Sequence, residues 1–390
     1  MRLIRRSAPF LAFIATVVAL VPSRPSSAQQ PFAVFGARQV ALGGASMALG
    51  DDPAGFVNNP ALTDPIVPSY VLSYGVVANA AGDFVPLLKG VSGNDPVELA
   101  SPSSPNAAGV RASLAALAAP GVGALGDRQV GIATTVDGWG VAVSRSGWSA
   151  SFARPDLVHV QAGTDPATSF QHNDSRVAFR ALSLEDYAVS RSFSFFGNAL
   201  AIGVAGHYLR GTAGIKEESA FTTDVGRLDS FVRRGSDGGI DRTRSRFSWD
   251  AGALVTIGVV RIGGVIKGIN QPEFPFDDQS APAEDRGKSA ALGRQIRVGA
   301  SVRIPGTGLT IAADLDLSKN GTLIDTLDSR TVGGGVEWLF GALGLRGGMS
   351  VNLAAPDRPT VASAGLAWSS GKVRLDVSAV YRSNDGAIGG

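Results

Sequence analysis

Three stretches of this chain alternate apolar and polar side chains with a period of two. In 294–304, Ile296, Val298, Ala300, Val302 and Ile304 share one face, and Arg297, Gly299, Ser301 and Arg303 share the other. In 309–319, Ile311, Ala313, Leu315 and Leu317 lie opposite Ala312, Asp314, Asp316 and Ser318. In 372–382, Val373, Leu375, Val377, Ala379 and Tyr381 lie opposite Arg374, Asp376 and Ser378. Such a period marks β-strands with two unlike faces. Strand-like runs also cover 69–78, 128–136, 140–152, 185–192, 199–210, 247–260, 261–269, 330–340, 343–352 and 360–369. The set predicts an all-β chain of about 12–14 antiparallel strands, several near ten residues long against the 5–6 usual in soluble sheets.

Two architectures use such strands. In a soluble sandwich the apolar faces meet in a core and the charges face water. In a single transmembrane β-barrel the apolar faces meet lipid and the charges are enclosed. Strand length favours the barrel, as does the lack of a helical layer to cover so many apolar faces. An arginine facing lipid at mid-membrane costs roughly 2–4 kcal/mol. Arg297, Arg303, Asp314, Asp316, Arg374 and Asp376 are therefore expected to form a polar network in the lumen. A slip of one residue would reverse every side chain, so these charges also set the register. Long loops are expected at about 79–127, 211–246 and 271–290, with a short helix at 108–119 and a helical turn near 228–233. The barrel would occupy 67–390.

The ends and the composition narrow the setting. Residues 1–28 carry Arg2, Arg5 and Arg6, then an apolar run over 9–21, then Ser26-Ser27-Ala28. That order predicts a secretory signal peptide cleaved after Ala28. The run of about 12 residues is too short to anchor in a bilayer, which takes roughly 20. The full chain has a net charge of +2. Its first 28 residues hold four arginines and no acid, so the remainder carries +2 minus 4, or −2. That balance argues against direct nucleic-acid binding. The absence of cysteine excludes disulfides, thiolate metal sites and cysteine nucleophiles. No apolar run of transmembrane-helix length follows the signal.

Few motifs suggest chemistry. Gly121-Val-Gly-Ala-Leu-Gly126 fits G-x-G-x-x-G, but an Ala-rich helix precedes it and a strand follows, the reverse of a dinucleotide site, so a loop or turn is expected. His159, His172 and His207 have no ligand spacing and are assigned ordinary polar roles. Asp314-Leu-Asp316 puts two carboxylates on one strand face. A paired acid site is possible chemistry there, and a salt-bridge network with Arg297, Arg303 or Arg374 is the expectation. Lys319-Asn320-Gly321 reads as the hairpin turn after that strand. The five tryptophans (139, 148, 249, 338 and 368) fall near predicted strand ends, as an interfacial girdle would require. No catalytic residue, metal site or cofactor is assigned.

The stretch FGARQVALGGASMALGDDPAGFVNNPALT, residues 35–63, is too broken for helix and too rich in turns for strand. It resembles the N-terminal signature of the FadL/PorV-like outer-membrane barrels, G-A-R, then G-G-A, then D-x-x-A and N-P-A. Here those positions are Gly36, Ala37, Arg38, Gly43, Gly44, Ala45, Asp51, Ala54, Asn59, Pro60 and Ala61. Further stretches, EDYAVSRSFSFFGNALAIGVAGHYLRG, GGVIKGINQPEFPF and RVGASVRIPGTGLTIAADLDLSKNGT, are similar to the same superfamily, the last most of all to its TraF-type branch. The resemblance implies that residues 29–66 form a plug inside the barrel, with Gly43, Gly44, Asp51, Asp52, Asn58, Asn59 and Pro60 as gating residues. It implies one of two roles. One is a passive conduit for hydrophobic or amphipathic small molecules in the bacterial outer membrane. The other is an accessory barrel of a conjugation or secretion apparatus. The sequence departs from the usual pattern at its end, where Tyr381 is followed by RSNDGAIGG rather than closing the chain.

Overall fold

A computed structural model describes residues 34–50, 52, 54–63, 69–81, 83–225, 243–276, 281–355, 360–370 and 373–382. The expected signal peptide, the helical turn near 228–233 and Asp51 fall outside these residues.

The chain begins with two short helices, α1 (Ala37–Ala41) and α2 (Gly55–Asn58), and a 3-10 turn at Pro60–Leu62. Strand β1 (Ser69–Ala81) follows, then helices α3 (Phe84–Val91), α4 (Pro96–Leu99) and α5 (Ala107–Leu117). The next strands are β2 (Gly123–Val136), β3 (Trp139–Arg154), β4 (Arg176–Phe195), β5 (Leu200–Ser219), β6 (Arg244–Ile257) and β7 (Val260–Lys267). A small hairpin, β8 (Glu273–Pro275) with β9 (Ser289–Ala291), leads to β10 (Gln295–Ile304) and β11 (Leu309–Asp316). A second, β12 (Asn320–Gly321) with β13 (Asp328–Ser329), leads to β14 (Thr331–Phe340), β15 (Leu343–Asn352), β16 (Val361–Ser370) and β17 (Val373–Arg382).

Thirteen of these strands form one antiparallel sheet in the order β1-β2-β3-β4-β5-β6-β7-β10-β11-β14-β15-β16-β17. Each main strand pairs with its sequence neighbours in that sheet, so the topology is up-and-down throughout. Connections alternate between tight turns at one end and long segments at the other. The β2–β3 turn, for example, is Asp137-Gly138, both with positive φ (50° and 74°), as a two-residue hairpin requires.

The sheet is strongly curled. Phe35 packs with Ala133 of β2 and Ala142 of β3. Six residues on, a Cβ at Gly365 of β16 would lie 2.5 Å from the Ala41 side chain. Six residues span at most about 20 Å, whereas ten strand spacings in a flat sheet would set β2 and β16 about 48 Å apart. The two flanks must therefore approach each other around the N-terminal segment. A cavity touched by both Gly75 of β1 and Val380 of β17 lies between them. Among the described residues no ladder pairs β1 with β17.

The alternation read from sequence sorts the faces. On β10 Arg297 and Ser301 are buried while Ala300 and Ile304 are exposed. On β11 Thr310, Ala312, Asp314 and Asp316 are buried and Ile311 and Ala313 exposed. The outward face is apolar around the sheet: Val189, Val204, Ile262, Val336, Leu345, Leu366 and Val377 all lie open on it. Tyr187, Tyr208 and Phe247 cluster on three adjacent strands toward the long-loop end, with ring centroids 6.2 and 5.5 Å apart. Trp139, Phe193, Phe195, Trp338, Phe340 and Trp368 are exposed toward the tight-turn end. From Tyr187 to Phe195 on β4 is about 26 Å along the strand, or about 20 Å along the axis of a barrel whose strands tilt by 35–45°. Beyond Tyr187 the outer face turns charged, with Glu185 and Arg210 paired at 3.3 Å.

Several expectations are corrected. Strands β4 and β5 are each 20 residues long, not 8 and 12, and β5 runs to Ser219 where a loop was expected from 211. Arg176–Leu182 shows no alternation because nearly every side chain from Val177 on is buried, so period-two reading misses it. Those extensions pack against the loops in two apolar clusters. Phe274, Phe276, Leu323, Ile324 and Leu327 join one, and helices α3, α4 and α5 with Phe170 and Phe221 form the other. Only Gly121 and Val122 of the G-x-G-x-x-G stretch are turn, and β2 already runs from Gly123. Asn320-Gly321 is not a positive-φ turn but a strand pair with Asp328–Ser329. The chain there does not reverse at once. It rises to bury Leu323, Ile324 and Leu327 before returning. Trp148 is mid-strand and half-buried beside the first cluster, not at a rim. The predicted helix at 108–119 is α5, and it is joined by α3 and α4, which were not foreseen. Among the described residues no helix is long and apolar enough to cross a membrane, which says nothing of strands.

Candidate functional site

The N-terminal segment, residues 34–63, lies against the inner face of the sheet with most of its side chains buried. Its irregular backbone needs partners for N–H and C=O groups that no ladder supplies. They come from within the segment and from the wall. The Asn58 side chain accepts from the Phe35 N–H and donates to the Phe35 carbonyl, both at 2.9 Å, and so mimics a strand partner. The Asn59 amide donates to the Met47 carbonyl at 2.9 Å and to Ala253 O of β6 at 3.3 Å. Its Oδ1 caps the 3-10 turn through the Ala61 N–H. Pro60 starts that turn, where its missing N–H costs nothing.

Gly43 and Gly44 sit at φ 67° and 85°, conformations that favour glycine. Wall glycines let the segment come close. A Cβ at Gly263 would lie 2.0 Å from the Met47 carbonyl oxygen, and one at Gly348 would lie 2.3 Å from Gly43 N.

Charged groups make the remaining contacts. The Asp314 carboxylate accepts from the N–H groups of Ser46 (2.7 Å) and Met47 (3.1 Å) and from the Ser46 hydroxyl (3.2 Å). Arg297 donates to Asp316 at 2.6 Å and reaches Gly44 O at 3.4 Å. Asp316 in turn accepts from the Thr331 N–H at 2.8 Å. Arg38 binds Glu337 through two hydrogen bonds, Nε–Oε2 at 2.9 Å and Nη2–Oε1 at 2.6 Å. Arg346 donates to the same carboxylate at 2.7 Å and to Asp376 at 2.8 Å. Asp376 also accepts from Arg374. Asp52 holds Gln39 Nε2 at 2.8 Å and stands 4.0 Å from Arg38. A third group lies on β4, β5, β6 and β7. His207 sits between Asp186 at 3.0 Å and Asp250 at 3.2 Å, and Lys267 donates to Val57 O.

The expected single network is therefore divided. Asp314 is occupied chiefly by the segment's backbone, and the arginine bonded to Asp316 is Arg297. Arg374 and Asp376 belong with Arg38, Glu337 and Arg346. Arg303 is exposed at the tight-turn end of β10. Sequence reasoning missed Glu337, Arg346, Lys267 and the His207 group. The available signal was a lone charge in an apolar strand, as in VGGGVEWLF. Among the described residues no cluster of three or more His, Asp or Glu side chains is arranged to hold a metal.

Three cavities border the segment. One of about 120 Å³ lies by Phe35, Val57, His207 and Lys267. Another of about 310 Å³ lies by Val34, Gly43, Arg297 and Asp314. The third, about 260 Å³, lies by Arg38, Leu49 and Gly50.

An up-and-down antiparallel sheet wound about its own N-terminal segment, apolar outside and charged within, defines the structural class. The chain belongs to the family described as "F plasmid transfer operon, TraF, protein", which matches residues 57–316. Among curated proteins none matches it. Solved structures similar to it include the toluene transporter TodX of Pseudomonas putida, at 12% identity and TM-score 0.43 over 90% of this chain and 93% of that one. The toluene transporter TbuX of Ralstonia pickettii is similar at 13% identity and TM-score 0.45, over 90% and 94% of the two chains.

Proposed function

We propose that the protein is an outer-membrane β-barrel closed around residues 34–63 as a plug, and that it serves as a gated conduit for small amphipathic molecules. The observation that carries the membrane assignment is the outward face. Its apolar side chains form a band about 20 Å high, edged by aromatic rings and then by charge, close to the roughly 25 Å band of such barrels. A soluble protein rarely exposes a contiguous apolar patch beyond a few hundred Å². Short turns in these barrels face the periplasm, which orients the tight-turn end inward.

The conduit reading rests on the three cavities that abut the plug. Moving the segment would join them. A second reading, an accessory barrel of a plasmid-transfer or secretion apparatus, is favoured by their polarity, since Arg297, Asp314, His207 and Lys267 edge spaces that a hydrophobic ligand would avoid. The family description points the same way.

Sucrose-gradient fractionation of envelopes tests the membrane assignment, with the protein expected in the outer-membrane band. Its recovery in the soluble periplasm would overturn both readings. Proteoliposome uptake of small amphipathic solutes tests the conduit, and plasmid transfer in a deletion strain tests the accessory role.

A further inference from the structure

We propose that Arg128 and Arg145, on the outward face of β2 and β3, dock the phosphate groups of a lipid headgroup, of the lipid A kind, in the outer leaflet. The proposal rests on the outer-membrane reading above.

Strand register locates the site. Leu72, Ile132, Val143, Tyr187, Tyr208 and Phe247 stand side by side across β1–β6, and all are exposed on the outward face. This rung carries no charge. Two residues nearer the long-loop end, about 7 Å along the strands, the next outward rung reads Tyr74, Val130, Arg145, Glu185 and Arg210. Arg128 lies a further two residues on, opposite Gly147 of β3. Acyl chains packed on the apolar rungs would carry their headgroups to these arginines.

Two observations set the pair apart from an ordinary solvated edge. The first is charge. Glu185 is matched by Arg210 at 3.3 Å, and Lys216 by Glu218 at 2.9 Å. Arg128 and Arg145 are exposed, and neither side chain has a hydrogen bond or ion pair among the described residues. Alternation leaves every outward position of β6, β7, β10, β11 and β14–β17 uncharged. Two unmatched positive charges therefore mark one flank of the sheet at this end. The second is placement. Arg128 lies across β3, since a Cβ at Gly147 would fall 2.9 Å from its Nε. Gly147 is two positions from Arg145 on the same face, so both arginines serve one stretch of β3.

Guanidinium forks match the geometry of phosphate oxygens. Further out on the same face, Val177 and Phe179 are covered by helices α3, α4 and α5. The arginines thus lie in a recess between those helices and the apolar band. A headgroup whose chains lie on that band fits there, and a flat protein surface would meet the helices first.

The test uses the full mature chain, purified in a zwitterionic detergent. It is titrated with lipid A, with lipid A stripped of its phosphates and with phosphatidylcholine, and binding is followed by native mass spectrometry. Lipid A is expected to bind more tightly than its dephosphorylated form. Arg128→Gln and Arg145→Gln should each weaken it about fivefold, and Arg145→Lys, which keeps the charge, should lose less than Arg145→Gln. Lys319→Gln, which removes an exposed charge beyond β11, should bind as wild type does. The dephosphorylated lipid should not distinguish wild type from any variant. Heat-modifiable migration on gels checks that each variant is folded. Equal binding of the two forms of lipid A, or equal binding of lipid A by wild type and the folded double variant, overturns the proposal. Arginine-dependent capture of polyglutamate without preference for the phosphorylated lipid overturns it in favour of an acidic protein partner. Failure of the wild type to fold into neutral phosphatidylcholine vesicles overturns the outer-membrane reading itself.

Discussion

The guanidinium of Arg38 and the carboxylate of Glu337, 299 positions apart, join in a two-point pair with both side chains almost wholly buried. The pair ties α1 to β14, and Arg346 shares the same carboxylate. Removing one partner of a buried pair strands the other, at a cost of roughly 3–5 kcal/mol. Glu337→Gln is thus expected to lower stability by about that amount, and to expose residues 34–50 to protease. Urea unfolding in lipid vesicles measures the first effect, and N-terminal sequencing after limited proteolysis the second. Retention of full protection would show that the segment is held without this pair.

Close approach of the segment predicts a contrast among glycines. An alanine at Gly263 or Gly348 would drive its Cβ into the backbone of Met47 or Gly43, which cannot rotate aside. Each should displace the segment and destabilise by several times the ordinary cost of a core substitution, about 1 kcal/mol. At Gly75 no atom lies within 4 Å of the added carbon. Gly75→Ala should be neutral or stabilise by up to about 1 kcal/mol, since glycine is a poor strand residue. Melting of the three variants in one detergent makes the comparison, and equal loss in all three would contradict it.

These contacts show what the sequence made legible. Alternation exposed β10, β11 and the face on which Arg297 and Asp314 lie, because one side of each strand is apolar and the other polar. It did not show that Asp314 would accept backbone N–H groups from Ser46 and Met47, some 270 residues earlier. Such a bond depends on how far the sheet curls, and no local pattern records curvature. Glu337 was invisible for the same reason, being one charge that follows two inner-face glycines, Gly333 and Gly335. The upper half of β4 was lost because burial on both faces erases the period, and the end of β5 because Lys216, Glu217, Glu218 and Ser219 are polar and read as loop. Helix α5 was found because its alanines and leucines carry strong local preference, while α3 is defined by packing on α5 rather than by its own sequence, which contains Pro86 and Gly90.

At the long-loop end Arg180 is fully buried and binds Asp285 at 2.6 Å while also gripping Asp325. It stacks on Phe152 and Phe276, with its guanidinium carbon 4.9 and 5.7 Å from the two ring centres. Burial pushes the Asp285 carboxyl up, but Arg180 and the hydrogen bonds from Arg154 outweigh it, leaving its pKa below the ordinary value. Asp325 is lowered in the same way, burial opposing the stronger pull of Arg180. A depressed folded pKa stabilises above the unfolded value near 3.9 and is lost as pH falls through the folded one. Backbone protection at 283–288 and 323–327, relative to the free-chain exchange rate at each pH, should therefore be high from pH 7 to about 5 and should fall steeply below about 4. Asp285→Asn should give fast exchange already at pH 7. Protection that persists at pH 2 would show that apolar packing alone holds these loops.

The outward face predicts which single charges the fold will refuse. Leu366 of β16 is 61% exposed, on the same face as Leu345 and Val377. In water such a residue could become arginine at little cost. In a bilayer the same change at mid-depth should cost roughly 2–4 kcal/mol. The cost should shrink toward 0–1 kcal/mol near an interface, so Trp368→Arg, two residues nearer the tight-turn rim, should be milder than Leu366→Arg. A polar change on the inner face of the same strand, Ser363→Thr, should not follow this depth rule, because its hydroxyl bonds Ala41 O and the Gly43 N–H rather than facing lipid. Reversible folding into phosphatidylcholine vesicles measures all three. A loss for Leu366→Arg that is equal in detergent-free buffer and in vesicles would mean that the apolar face meets protein rather than lipid.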